Sequence, residues 1–227
     1  MNDHLQQLAS APENYKFYGQ FEPPVDKFLF ERYFQGRPMQ GVVIECGAFD
    51  GQLESSCAFF EESLGWKAIN LEASPAIYAA LVKNRPLSTN INVALSNQVG
   101  TAEFVDVELP GYPLCTNGSL SHLEPHRQWL DSVNCSYSKC QVQTWTYKKL
   151  VEELNLETVN LMVLDVEGHE LQALEGFVGA TALPEILCVE HGHLGVEAIT
   201  NALKPLGYEY DTSLHVNSYY ILTQRAS

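Results

Sequence analysis

Four acids stand where apolar runs end: Glu45 after Val42-Val43-Ile44, Glu72 after Trp66–Leu71, Asp165 after Val159–Leu164, and Glu190 after Ile186–Val189. The runs have the continuous apolar character of strands covered on both faces. Each acid therefore falls at a strand's carboxyl end, the edge of an α/β sheet outside which ligands bind. One strand-end acid often does no more than cap the following helix. Four on a single edge describe a site, and its charge suits a cationic guest.

The sharpest part of that site is Gly41–Gly51, a strand that runs into a turn of pattern Glu-x-Gly-x-x-x-Gly, with Glu45, Gly47 and Gly51 in the fixed positions. It differs from Gly-x-Gly-x-x-Gly, whose glycines let a pyrophosphate approach a helix N-terminus. A carboxylate at the first position repels a pyrophosphate and attracts an amino group. S-adenosylmethionine carries an ammonium and a sulfonium, so the charge favours it over a dinucleotide. Glu72, ending the second strand, is placed to accept both hydroxyls of a ribose. Asn92 and Ala94, near the end of the third strand, are expected to flank an adenine.

The elements that must position these groups follow from periodicity. Val25–Phe34 reads as an amphipathic helix, with an aromatic-rich stretch before it. A helix is expected over Leu53–Leu64, stopped by Gly65, and another after Ser74-Pro75. Asn90–Leu95 reads as the third strand and Thr101–Val107 as a short hairpin partner. Residues 108–139 break the pattern with Pro110, Gly111, Pro113, Gly118 and Pro125, among Tyr112, His122, His126 and Trp129. So long an irregular stretch reads as a lid-like insertion, with a decorated surface loop as the alternative. Beyond it come a strand at Gln141–Trp145, a helix at Tyr147–Leu154, and strand–helix pairs beginning at Val159 and Ile186. Two final β segments, Tyr208–Asp211 and Ser218–Leu222, close the chain. Such alternation gives an α/β fold with a mainly parallel central sheet, helices on both faces and a final antiparallel strand. The expected organisation is an N-terminal segment 1–40 packing on a domain 41–227.

Composition narrows the function further. The 227 residues suffice for one α/β domain with a substantial core. With 28 acidic and 13 basic side chains the net charge is −15, which argues against nucleic-acid or anionic-lipid partners and for a small neutral or cationic one. Residues 1–10 lack the pattern of a signal peptide, and no apolar run approaches the ~18 residues of a membrane span. Of the six cysteines, Cys46 and Cys188 fall in core strands, and Cys135 and Cys140 have no second pair to complete a zinc site. Reduced thiols and a cytoplasmic protein are the expectation, with a Cys135–Cys140 disulfide as the alternative.

Several blocks together resemble the FkbM-type methyltransferases, a branch of the class I S-adenosylmethionine-dependent enzymes with a Rossmann-like fold. They are Tyr18-Gly19-Gln20, Phe28–Phe34, Glu45–Gly51, Leu64-Gly65-Trp66, Asn70–Pro75, Asn92–Ser96 and Asp165–Glu170, in family order. Family members carry Ser-Gln-x-Gly-Glu-Asp before the first helix, where here only Gln20 stands. The resemblance implies that Glu45, Gly47, Ala48, Asp50 and Gly51 line the methionine and sulfonium end, with Glu72 and Ala73 at the ribose. It implies Gln20 and Ser55 for the methionine carboxylate, and O-methylation of a hydroxyl on a small molecule, carbohydrate or secondary metabolite.

In-line displacement at an activated methyl group needs alignment and a base for the hydroxyl proton. Candidates are Asp165, Glu167, His169, Glu190 and His191, with Asp165 nearest the cofactor's expected position. Glu167 and Glu170 have an ordinary alternative, opposing the dipole of the helix that follows. Asp165, Glu190 and His191 could also hold a divalent ion such as magnesium. His122, His126 and His215 read as isolated solvated or structural residues. Two other functions remain: a nicotinamide oxidoreductase, which would need glycines at Glu45 and Ala48, and a non-catalytic cofactor- or glycan-binding module.

Overall fold

In the computed structural model, which describes residues 15–37, 40–111 and 117–223, the chain enters through a short helix α1 (Val25–Leu29) that continues as a π turn over Phe30–Phe34. There follow β1 (Val42–Cys46), α2 (Ala58–Glu62), β2 (Lys67–Leu71), α3 (Pro75–Asn84), β3 (Thr89–Ile91), β4 (Ala94–Leu95) and β5 (Gly100–Glu108). The second half comprises α4 (Glu124–Ser132), β6 (Ser136–Trp145), α5 (Tyr147–Glu153), β7 (Val159–Leu164), α6 (Glu170–Glu175), β8 (Pro184–Glu190), α7 (Val196–Leu203), β9 (Tyr208–Leu214) and β10 (Asn217–Leu222). The expectations for residues 1–10, Tyr112, Pro113 and Cys115 lie outside the described residues.

A seven-stranded sheet in the order β3-β2-β1-β7-β8-β10-β9 forms the frame. Within it β3, β2, β1, β7 and β8 pair in parallel, and β10 is antiparallel to both β8 and β9. The order runs one way from β1 to β3 and the other way from β7, so the switch point lies between β1 and β7. Adjacent side chains of β1 enter opposite layers, as a period of two requires. Ile44 and Cys46 join Leu71, Leu164, Leu150, Leu174 and Phe177 on one side. Val43 joins Leu161, Cys188, Tyr219 and the ring cluster of Phe30, Phe34, Phe59, Phe60 and Trp66 on the other. Each such buried side chain contributes roughly 1.5–3 kcal/mol relative to exposure. The N-terminal segment is tied down by Asp26, a fully buried carboxylate accepting from the backbone N–H of Tyr18, Gly19 and Lys27 at 2.7, 3.1 and 2.9 Å.

Four expected elements take a different form. The helix expected over Leu53–Leu64 is only α2, because Glu54 adopts φ 58° and the segment before it turns inward to bring Ser55 and Ser56 onto Glu45. The expected strand Asn90–Leu95 is two strands in two sheets. The Asn92 side-chain amide donates to the carbonyls of Glu72 and Ala73, at 2.8 and 2.9 Å, and breaks the run between β3 and β4. The short hairpin strand is the nine-residue β5, paired with a ten-residue β6 in a second sheet of order β4-β6-β5. Part of the irregular stretch 108–139 is therefore strand and helix, namely the start of β6 and all of α4. Cys140 remains a thiol, 3.7 Å from Asp106 Oδ2, so it forms no disulfide with Cys135. No helix among the described residues is long and apolar enough to cross a membrane.

Candidate functional site

At the switch point the tips of β1 and β7 are held together by the Asp165 N–H donating to the Cys46 carbonyl at 3.0 Å. The chain leaves β1 through Gly47, at φ +81°, where a Cβ would sit 1.8 Å from the Asp165 carbonyl oxygen. Only glycine fits that combination of left-handed backbone and close approach. The N–H groups of Gly47 and Ala48 both donate to the Leu71 carbonyl at the end of β2, at 3.1 and 3.0 Å. The three strand ends thus frame a cavity of ≈ 220 Å³.

Two carboxylates stand on its β1–β2 side. Glu45 accepts from Ser55 Oγ at 2.7 Å and from the Ser56 N–H at 2.6 Å. Glu72 accepts from the N–H groups of Phe49 and Ser74 at 3.0 and 2.8 Å. Burial pushes each carboxyl up to about 7, against the pull of those donors. On the β7–β8 side, Asp165 and Glu190 meet, with Glu170 completing a group whose oxygens lie within 4.8 Å of one another. Burial first, then neighbouring acids, lifts Asp165 and Glu190 well above the usual carboxylate range. Two buried acids this close do not both ionise, so the pair retains one proton near neutral pH.

Gln20, Glu45, Gly47, Ala48, Ser55, Glu72, Ala73, Ala94 and Asp165 all line the cavity, as do Glu167, His169 and Glu190. Asp50, Gly51, Asn92 and His191 do not stand on its wall, and three of these four act behind it. Asp50 Oδ1 accepts from the N–H groups of Gln52 and Leu53, closing the turn after β1. Gly51, at φ +76°, lies against Leu81 and Arg85, and Asn92 braces the loop that carries Glu72. His191 donates its backbone N–H to Val216 and is not grouped with Asp165 and Glu190.

His169 is buried, with its ring nitrogens 3.1 Å from Ser96 Oγ and 2.8 Å from Ser121 Oγ, and burial lowers it to about 4. Glu170 Oε1 accepts from the N–H groups of Val166 and Gly168 and so caps its own turn. The expectation of isolated histidines fails for all three, His122 Nε2 lying 2.6 Å from the Asn117 carbonyl. His126 is buried against His122 and stacked on His193, and His215 stacks on Phe21. The cavity also draws Phe49, Asn117 and Leu120 from loops, Phe104 from the second sheet and Asn217 from the start of β10. No spacing in the sequence marks these residues, because four separate segments bring them together.

The donor set fits S-adenosylmethionine on the structure's own terms. Two buried carboxylates suit an ammonium and a ribose diol. The Gly47 turn leaves the backbone bare, and Ala73, Ile77, Ala94 and Leu95 offer an apolar wall. The arrangement has no glycine cradle for a pyrophosphate, since Glu45 stands in its place.

Comparison with known proteins agrees with this geometry. The family model for the methyltransferase FkbM domain matches residues 45–210, more than half of the chain. A similar solved structure is the methyltransferase FkbM from Methylobacillus flagellatus KT, with TM-score 0.55 and 14% identity over 87% of this chain and 48% of that one. The present chain thus spans about half the length of that relative. Fibrillarin from Aeropyrum pernix, solved with natively bound S-adenosyl-L-methionine, aligns at TM-score 0.49 and 10% identity, over 94% of this chain and 85% of its own. No curated protein matches the sequence. The strand-end acids, the Gly47 turn and the family match lead to one conclusion: the chain is a class I methyltransferase fold and belongs to the FkbM methyltransferase family.

Proposed function

We propose that this chain is an S-adenosylmethionine-dependent O-methyltransferase acting on a hydroxyl of a small molecule, a carbohydrate or a related secondary metabolite. The observation that carries the proposal is the pair of buried carboxylates, Glu45 and Glu72, on either side of the Gly47 turn. S-adenosylmethionine, when bound, would supply a methyl group on positive sulfur, open to in-line attack by an oxygen nucleophile with the neutral thioether as leaving group. Glu45 binds the ammonium end, held in place by Ser55, whose one hydroxyl proton goes to Glu45, and Gln20 stands beside it for the carboxylate. Glu72 binds the ribose hydroxyls, and Ala73 and Ala94 form the apolar wall for the base. Asp165 takes the acceptor's proton, while Glu190 keeps the proton that the pair already holds. His169, with both ring nitrogens engaged by serine hydroxyls, orients the turn after β7 and does not move a proton. Asn117, Gly118 and Leu120 stand on the cavity wall, and this described part of the insertion covers the acceptor end.

Glu72→Ala is expected to weaken S-adenosylmethionine binding about 100-fold, because two hydrogen bonds to an ionised group are worth about 3 kcal/mol together. Glu72→Gln, which keeps one acceptor oxygen for the cap, should lose less. Calorimetric titration of both variants checks this, and wild-type affinity in Glu72→Ala would remove Glu72 from the ribose.

A pH dependence follows from the two raised carboxyls. Both are largely protonated below about 7 and ionised above it. Binding a cation requires the ionised form, so protons must leave as the cofactor enters. Affinity should therefore rise with pH, by about tenfold between pH 6 and 8 if one group must ionise and by up to about 100-fold if both must. Affinity that is flat across this range, or that falls, contradicts the assignment. The activity itself is tested by a methyl-transfer screen with labelled cofactor against sugars, glycosides and polyketide-like alcohols. Cofactor binding without transfer to any hydroxyl class would favour the non-catalytic module.

A further inference from the structure

His126, Glu167 and His193 are separated in sequence, on α4, on the turn after β7 and on the turn after β8. They converge next to the cavity, where Glu167 forms part of the wall. Glu167 Oε2 lies 3.1 Å from His193 Nε2 and 3.7 Å from His126 Nδ1, and the three residues each offer a ligand atom within 4.8 Å of the others'. The two imidazoles are stacked, with ring centres 4.1 Å apart and planes 13° from parallel.

His126 makes this more than a chance cluster. Its side chain is 3% exposed, yet Nδ1 has no hydrogen-bond partner. If Nδ1 carries the hydrogen, 3.7 Å is too long for a bond to Glu167. If it is bare, its lone pair faces a carboxylate oxygen. A cation between the three atoms removes both difficulties.

The spacing suits one. Tetrahedral bonds of about 2.0–2.2 Å to nitrogen and oxygen put ligand atoms about 3.3 Å apart, and the two distances present lie within a few tenths of an ångström of that. The rings must swing slightly out of parallel to aim both lone pairs at one point, and the partly exposed His193 has room to do so. Two imidazoles and one carboxylate favour a zinc-type ion over magnesium or calcium, which take oxygen. An orienting contact is already present, because Asn117 Nδ2 donates to the other oxygen of Glu167 at 3.2 Å.

We propose that His126 Nδ1, His193 Nε2 and Glu167 Oε2 form a binding site for one divalent transition-metal ion of the zinc type. The site is distinct from the Asp165, Glu190 and His191 set expected for magnesium, and it does not rest on the methyl-transfer proposal.

The test is a zinc titration of chelator-treated full-length protein against a chromophoric competitor, repeated with cobalt to read the ligand field by absorption. One equivalent should bind with Kd at or below about 1 μM. His193→Gln and Glu167→Gln should each weaken binding by about 100-fold or more and abolish the tetrahedral cobalt spectrum. His193 is partly exposed, so His193→Gln should fold, as its circular dichroism and the melting temperature of the metal-free form would show. Absence of stoichiometric binding by the wild type overturns the proposal. So does wild-type zinc affinity in both variants, which would place the ion elsewhere.

Discussion

Asp165→Asn is expected to lower methyl-transfer turnover by about 10²–10⁴-fold while leaving S-adenosylmethionine affinity within about threefold. Asparagine keeps the shape of the side chain and removes its basicity. It also removes one ionisable group from a crowded acid cluster, where Asp165 faces Glu190, Glu167 and Glu170. The variant should therefore melt at the wild-type temperature or above it, so lost turnover cannot be ascribed to unfolding. Single-turnover kinetics with the acceptor identified by screening measures the effect. Loss of cofactor binding would move Asp165 to the cofactor side, and full activity would leave the proton to another group.

Gly47→Ala should abolish both binding and turnover and lower stability. The new methyl would meet the Asp165 carbonyl at 1.8 Å, on a backbone with φ +81°. Relief requires separating the tips of β1 and β7, which breaks the bond from the Asp165 N–H to Cys46 and displaces Asp165 itself. Overpacking and left-handed strain together cost about 3 kcal/mol or more, which for a chain of this size lowers the melting temperature by roughly 6–12 °C. Scanning calorimetry checks it. A melting temperature within about 2 °C of wild type would mean that the switch point tolerates a side chain.

The central sheet was legible in the sequence because its strands are buried on both faces. Val42–Cys46, Lys67–Leu71 and Val159–Leu164 are apolar nearly throughout, and turn residues or acids bound them. The strand-end acids were legible for the same reason, since the end of each run marks the sheet's edge. What escaped depended on partners distant in the chain. Ser136–Cys140 carries no apolar alternation, and it becomes strand only by pairing with Phe104–Glu108. Asn90–Leu95 looks continuous, but the Asn92 amide is drawn to the backbone of Glu72 and Ala73 and splits it. His126 and His193 sit on unrelated helical and loop segments, so no local spacing brings them together. Asp50 matched the family pattern yet serves the turn, showing that a motif marks a neighbourhood and does not assign each side chain a contact.

The central claim is that the acids around Gly47 hold S-adenosylmethionine. Its most direct test is calorimetric titration of the wild-type protein at pH 8 with S-adenosylmethionine, and separately with NAD. One equivalent of S-adenosylmethionine should bind with Kd below about 100 μM, and NAD should give no saturable heat. Saturable NAD binding, or no S-adenosylmethionine binding at millimolar concentration, would contradict it.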